Sequence, residues 1–307
     1  MRRFLVLTFF LLMFAGVVTV SAKTVQERRA ERLLRLHAAA SSQSSDTSSS
    51  TVAPLSSSSA LRADPHPGMG AATSSVGVPA VDRKDIRFKI PILVYHHIRP
   101  YGGWAKSSWS TRLSVSPKNF DKQMQWIVDH DYTTINLDTY VKIRNGEIPG
   151  PVKPVVITFD DGNLNSFTEG LPVLEKHRLT ATWYIIPQRF GARDFISKDQ
   201  VKELAAKGMD IQSHTLNHLL LTRLPQNELD WELREGKRVL EELVGKPVLH
   251  LAYPATTHNA FVRQRTVAAG YATATLMDPR IASEKDDLII LPRIMMEDGT
   301  RLEKWLP

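Results

Sequence analysis

A run of β-branched and apolar residues from Val155 to Phe159 ends abruptly in Asp160, Asp161 and Gly162. Adjacent carboxylates at the end of a buried strand repel each other, so both stay ionised only where a cation or a hydrogen-bond donor compensates. The plainer reading is an Asp-Gly turn with both side chains solvated. Further along, Ser213-His214-Thr215-Leu216-Asn217-His218 follows a short strand-like segment, Met209 to Gln212. Two histidines four apart lie on one face of a helical turn, and neutral imidazoles at that spacing chelate a divalent ion. A helix N-terminus capped by Ser213 or Thr215, with two incidental histidines, is the alternative. Together, Asp161, His214 and His218 would make an Asp-His-His set. That is three protein ligands with one position open for water, as hydrolytic metal sites require. Tyr95-His96-His97 closes another apolar run. Successive strand side chains point to opposite faces, so only one of these histidines can look toward a site at that strand end.

The elements that must position these groups alternate in type. Strand-like runs appear at Ile90 to His96, Tyr132 to Leu137, Val155 to Phe159, Ala181 to Ile186, Met209 to Gln212, Val248 to Tyr253, Tyr271 to Leu276 and Leu288 to Ile294. Helical patterns lie between them. Ser116-Pro117 opens one with a cap and a first-turn proline, and Ser197 with Gln200 opens another as a capping box that closes at Gly208. Gln226 to Val244 and Asn259 to Ala269 read as two more, the second ending at Gly270. Strict alternation from about residue 85 to residue 307 predicts an α/β fold with a parallel sheet, closed as a β/α barrel or open and doubly wound. Either puts reactive groups at the C-terminal ends of strands, where Asp160, His96 and His214 stand.

The N-terminal part is built differently. Arg2 and Arg3 precede an apolar run from Phe4 to Val20, and Val20-Ser21-Ala22 suits signal peptidase, so residues 1–22 predict an exported chain. The run is also just long enough to span a bilayer, which would leave an uncleaved anchor and a membrane association through this segment. Residues 23–84 join a short amphipathic helix to a Ser-rich stretch, 41–81, too poor in apolar surface to fold, and so predict a disordered tether. There is no cysteine, which excludes disulfides, thiolate metal ligands and a lipidated cysteine. The formal charge is +7; Arg2 and Arg3 account for 2 of it, so cleavage of the leader leaves +5. For an exported chain such a balance suits anionic envelope polymers or lipid head groups, or is simply a soluble basic surface. No dense Lys/Arg cluster interleaved with aromatics occurs in residues 85–307, so no nucleic-acid partner is expected.

These motifs in this order resemble the polysaccharide deacetylases of carbohydrate esterase family 4, the NodB homology domain, over about residues 90–295. Thr158 to Gly162 is similar to the family's first motif and Ser213 to His218 to its second. Val94-Tyr95-His96-His97-Ile98, Ala252-Tyr253-Pro254 and Leu291-Pro292-Arg293-Ile294 are similar to the branch of poly-β-1,6-N-acetylglucosamine N-deacetylases. The resemblance implies a distorted (β/α) barrel of about seven strands as one domain, 85–307. It implies Asp161, His214 and His218 as ligands of one divalent metal ion, zinc being the expected one, and Asp160 as general base. It also implies His96 rather than His97 as general acid, Arg293 as the residue orienting Asp160, and the Ala255 N–H as an oxyanion donor. The implied partner is an acetylated polysaccharide, a polymer of N-acetylglucosamine, handled by a monomer outside the cytoplasm. O-deacetylation of a polysaccharide and non-catalytic glycan binding on the same scaffold are the competing functions. One departure stands out: after Pro254 the family carries an aromatic residue and a glycine, and this chain carries Ala255 and Thr256. Trp104 and Trp109 are weaker candidates for stacking on sugar rings. His258 is expected to be a cap or surface residue, and Tyr253 and Trp183 to be core.

Overall fold

The computed structural model describes residues 88–100 and 109–306. The leader, the amphipathic segment, the Ser-rich tether and Trp104 lie outside the described residues, as does the Trp109 side chain. Seven strands form a closed, wholly parallel barrel: β1 (Ile92–Tyr95), β2 (Pro154–Phe159), β3 (Thr182–Ile185), β4 (Asp210–Ser213), β5 (His250–Ala252), β6 (Thr273–Met277) and β7 (Leu291–Met295). They lie around the ring in sequence order. Closure is made by β7 against β1, with Ile294 opposite Leu93, and β1 continues the ring onto β2, with Tyr95 opposite Phe159.

Helices fill the crossovers that parallel pairing demands. The longer ones among the described residues are α1 (Pro117–Asp129), α2 (Leu137–Arg144), α3 (Leu171–His177), α4 (Lys198–Ala206), α5 (Gln226–Val244) and α6 (Ala260–Ala268). Ser116 caps α1, and Ser197 with Gln200 closes both bonds of a capping box on α4. The strand expected over Tyr132 to Leu137 is only Thr133–Thr134. Asn136 takes its remaining length by capping α2, accepting a hydrogen bond from Thr139 N at 2.9 Å. Likewise Leu288–Ile290 is a short 3-10 turn, and β7 begins after it.

Strand alternation sorts the side chains into two cores. Ile92, Val156, Tyr184, Ala252 and Leu291 belong to one buried cluster, which fills the barrel. Leu93, Tyr95, Phe159, Trp183, Ile211 and Leu251 point the other way and pack under the helices. Below the inner cluster a polar layer stands on the first residues of the strands. His250 meets Thr273 Oγ1 through Nδ1 at 2.9 Å and Asp138 Oδ1 through Nε2 at 3.1 Å. Asp210 beside it accepts from Thr182 and Gln212.

On the outside, Phe159 stacks on Trp183 at 4.6 Å and on Tyr95 at 5.5 Å, and Phe120 of α1 meets both Tyr95 and Phe159 edge-on. Tyr95 precedes His96 and Phe159 precedes Asp160, so this aromatic cluster clamps the strand ends from which two site residues leave. Trp183 is fully buried in it. Trp183→Ala should lower the unfolding free energy by about 3–5 kcal/mol, the usual cost of an uncollapsed aromatic cavity, read from urea melts of wild type and variant.

Candidate metal centre and active site

The mouth of the barrel collects loops from β1, β2, β4 and β5. β2 ends at Phe159, and Asp161 then takes a left-handed backbone, φ 73°, as does Gly162. β4 ends at Ser213, and the expected helical turn over His214 to His218 does not form. Thr215 and His218 are both left-handed, with φ 62° and 60°, and the segment is a loop. Its turn is made by side chains instead: Ser213 Oγ accepts from Thr215 N at 3.2 Å and Thr215 Oγ1 from His218 N at 3.1 Å. Such bonds compete with helix formation.

This loop nevertheless brings the two imidazoles together, ring centroids 4.7 Å apart. His214 Nε2 lies 3.5 Å and His218 Nε2 3.7 Å from Asp161 Oδ1. One ligand atom from each of the three residues lies within 4.8 Å of the others. His214 Nδ1 is 2.8 Å from the Ala252 carbonyl. A carbonyl only accepts, so the proton sits on Nδ1 and the Nε2 lone pair faces Asp161. Burial, reinforced by His214, pushes His218 down to about 4, leaving it a neutral donor at pH 7. The three residues therefore fit a divalent ion by donor type, tautomer and spacing, with no fourth protein ligand in the group.

Asp160 faces the barrel axis and is 2% exposed. Arg293, from β7, grips both its oxygens, Nη1 to Oδ1 at 2.7 Å and Nη2 to Oδ2 at 2.6 Å, and also donates to Thr158 Oγ1 at 3.0 Å. Burial alone would raise the Asp160 pKa, but the Arg293 charge and hydrogen bonds, with His214 and His96, hold it well below the usual carboxylate range. His96 Nε2 lies 3.9 Å from Asp160 Oδ2. Burial keeps His96 below the ordinary imidazole value although Asp160 and Asp161 pull the other way.

His97 turns elsewhere, its Nδ1 3.2 Å from Asn165 Nδ2. After β5, Ala255 and Thr256 form a left-handed pair, φ 50° and 61°. Thr256 N donates to Tyr253 O and Thr257 N to Pro254 O, so the turn's backbone bonds do not use the Ala255 N–H. His258 stacks on Tyr253 at 5.4 Å, and Tyr253 and Trp183 are buried in the outer core.

Several supporting residues escaped sequence reasoning. Asn163 Nδ2 donates to the His96 carbonyl at 3.0 Å and to Asp161 Oδ2 at 3.4 Å, and Ser166 Oγ donates to the same carbonyl at 2.7 Å. Glu232, in the middle of α5, is buried and accepts from Asn217 N at 2.8 Å and Asn217 Nδ2 at 2.7 Å, while its carbonyl accepts from Leu216 N. One turn on, Gly236 lets the helix touch the loop. A Cβ there would stand 2.8 Å from Leu216 N and from Thr215 C, both backbone atoms. Only a glycine inside an otherwise good helical pattern hinted at this contact. Gly236→Ala and Glu232→Ala should each displace the histidine loop and weaken divalent-metal affinity about 10–100-fold, the usual effect of losing an outer-shell support. Titration against a chromophoric chelator measures it, and unchanged affinity in both variants would remove α5 from the site.

The chain is similar to known proteins over the barrel. The polysaccharide deacetylase profile matches residues 147–274. A polysaccharide deacetylase of Bacillus cereus is 30% identical and superposes with a TM-score of 0.63, over 71% of this chain and 68% of that one. The Streptococcus pyogenes deacetylase PplD, solved with acetate, is 27% identical with a TM-score of 0.67, over 72% of this chain and all of that one. The poly-β-1,6-N-acetyl-D-glucosamine N-deacetylase of Staphylococcus epidermidis is 26% identical over 214 residues, 62% of this chain and 72% of the relative. By its barrel, its motifs and these relatives, the chain belongs to the polysaccharide deacetylase family of hydrolases.

Proposed function

We propose that this protein removes N-acetyl groups from N-acetylglucosamine units of an extracellular or cell-envelope polysaccharide. The observation that carries the reading is the meeting, at one barrel mouth, of an Asp-His-His donor set with a carboxylate held ionised by a buried arginine. The similarity to a poly-β-1,6-N-acetyl-D-glucosamine N-deacetylase supports the substrate class. The apolar N-terminal run after Arg2 and Arg3 supports export.

Asp161, His214 and His218 would hold one divalent ion, zinc by the hardness and number of the donors. Such an ion polarises the acetamide carbonyl and acidifies water toward a pKa of roughly 7. Asp160, kept ionised by Arg293, takes the proton of the attacking water. Because Arg293 binds both carboxylate oxygens, Asp160 is fixed in orientation rather than free to rotate. The Ala255 N–H, left unused by its own turn, donates to the developing oxyanion. His96, beside Asp160, gives a proton to the departing amine. The products are acetate and a glucosamine unit.

The roles separate by mutation. His214→Ala or His218→Ala should cost metal as well as rate, measured by elemental analysis after dialysis; full occupancy in both would sink the ligand assignment. Asp160→Asn and His96→Ala should keep the metal yet lower kcat/KM by about two to four orders of magnitude, as loss of a general base or acid does. His97→Ala should be mild, since that ring faces Asn165.

The pH profile follows from the same shifts. A general acid is active when protonated, so kcat/KM should fall as pH rises through the His96 pKa, which lies below 6.5. That limb should vanish in His96→Ala; its persistence there would assign the acid elsewhere. Acetate release from N-acetylated against O-acetylated glycans decides between amide and ester hydrolysis.

A further inference from the structure

A cation at the barrel mouth takes no part in the chemistry above. After β3 the chain makes a short 3-10 turn, Pro187–Arg189, and then a tight loop to Ile196. The turn lies against the histidine loop, since Gln188 N donates to Leu216 O at 3.1 Å, two residues before His218. The loop beyond it lies against the carboxylate loop. There Ile196 N donates to Gly162 O at 3.0 Å, Leu164 N to Asp194 O at 2.8 Å, and Phe195 forms a β-bridge with Asn163. Arg189 is therefore carried by a segment fastened to both loops that hold the candidate metal ligands. Burial first, and then the charges of His214 and Arg189, lower the His218 pKa, so the guanidinium is within electrostatic reach of that imidazole.

The side chain is held but unpaired. Its guanidinium carbon lies 4.7 Å from the centre of the Phe195 ring, a cation–π contact, and both residues are half-buried. Ala192 N donates to Arg189 O at 3.0 Å, which laces the loop back onto the turn. Among the described residues the guanidinium makes no hydrogen bond and no ion pair. The carboxylates of the adjoining loops are engaged elsewhere: Asp160 with Arg293, Asp161 with His214 and His218, and Asp194 with Arg193 at 3.8 Å. The ring thus covers a face of the guanidinium and leaves its N–H edge without a partner. Such a fork, fixed in advance, takes carboxylate or phosphate oxygens in pairs at little further loss of side-chain freedom. An unsubstituted N-acetylglucosamine unit carries no charge to meet it.

Resting on the deacetylase reading above, we propose that Arg189 is a specificity determinant that pairs with an anionic substituent, a carboxylate or a phosphate, of the polysaccharide being deacetylated. The preferred substrate is accordingly an acidic polymer of N-acetylglucosamine rather than a neutral one. Phe195 acts through Arg189, as the platform that keeps the guanidinium at the mouth.

The test uses the full chain and a β-1,6-linked N-acetylglucosamine tetrasaccharide in three forms: unsubstituted, O-carboxymethylated and O-phosphorylated. Acetate release is followed for each, and binding is measured separately by calorimetry after chelation. The quantity read is the ratio of kcat/KM for a charged form to that for the neutral one. In the wild type it should be about fivefold for at least one charged form, through KM, which is the scale of a partly exposed charge pair. It should shrink as salt is raised from about 0.05 to about 0.5 M, because screening weakens such a pair. Arg189→Ala should bring the ratio near one and Arg189→Glu below one, while Phe195→Leu, which takes away the ring but not the charge, should leave an intermediate value. Urea melts check that the variants fold. A preference for the carboxymethylated form alone assigns a carboxylate, and one for the phosphorylated form alone a phosphate. A wild-type ratio of one, or a ratio that survives Arg189→Glu, would overturn the proposal. No acetate release from any form, together with tighter binding of a charged form that Arg189→Glu abolishes, would overturn the deacetylase reading and leave the anion contact standing.

Discussion

The site depends on one buried ion pair. Asp160 and Arg293 lie 133 residues apart and come from β2 and β7, and both are almost wholly removed from water. Taking two charges into a protein interior is costly, and only close geometry with additional hydrogen bonds offsets the loss of hydration. Here the bonds are paired and parallel, and Thr158 Oγ1 takes a further Arg293 proton while donating its own to Leu93 O. The pair therefore ties β1, β2 and β7 together across the barrel closure. Removing one partner leaves the other charged and unsatisfied, a loss of about 3–5 kcal/mol in comparable sites. The same contact that sets the charge state of Asp160 thus holds the strands that frame the mouth.

Around this fixed centre the backbone is strained. Among the described residues, eight that are not glycine take positive φ, and Asp161, Thr215, His218, Ala255 and Thr256 are five of them. Left-handed conformations cost L-residues free energy and persist where surrounding structure over-determines them. Each loop has such a constraint. Asn163 links Asp161 to the His96 carbonyl, Glu232 and Gly236 press α5 against the histidine loop, and Met277 N holds Thr256. The helical crossovers and the outer aromatic cluster supply the rigidity against which these loops are held. Hydrophobic packing is in this way linked to ligand geometry: Tyr95 and Phe159, the last residues of β1 and β2, stack on one another and immediately precede His96 and Asp160 in the chain.

The alternation of strand and helix, the capped starts of α1 and α4, and the end of β2 at two carboxylates are all legible in the sequence, because they are local. Caps and periodicity act within a few residues, and a parallel sheet needs crossovers wherever they occur. The Asp160-Asp161 pair and the His214/His218 pair are legible for the same reason, each being carried by residue types at short spacing, whereas the meeting of Asp161 with the two histidines, 53 residues on, belongs to the fold. Even so, the histidine pair meets through a loop with left-handed residues rather than along a helical turn. Spacing alone does not tell the two apart, since the choice falls to Ser213 and Thr215 hydroxyls and to the contact with α5.

What the sequence determined by itself is therefore the chemistry available and the ends of the strands on which it stands. Tertiary structure alone decided which long-range partners complete it. Ala252 O selects the His214 tautomer, and Glu232 receives Asn217. Each of these contacts joins residues that are distant in the chain. They exist only once the seven strands close, because closure sets the register, and with alternating side chains the register determines which groups share the barrel interior.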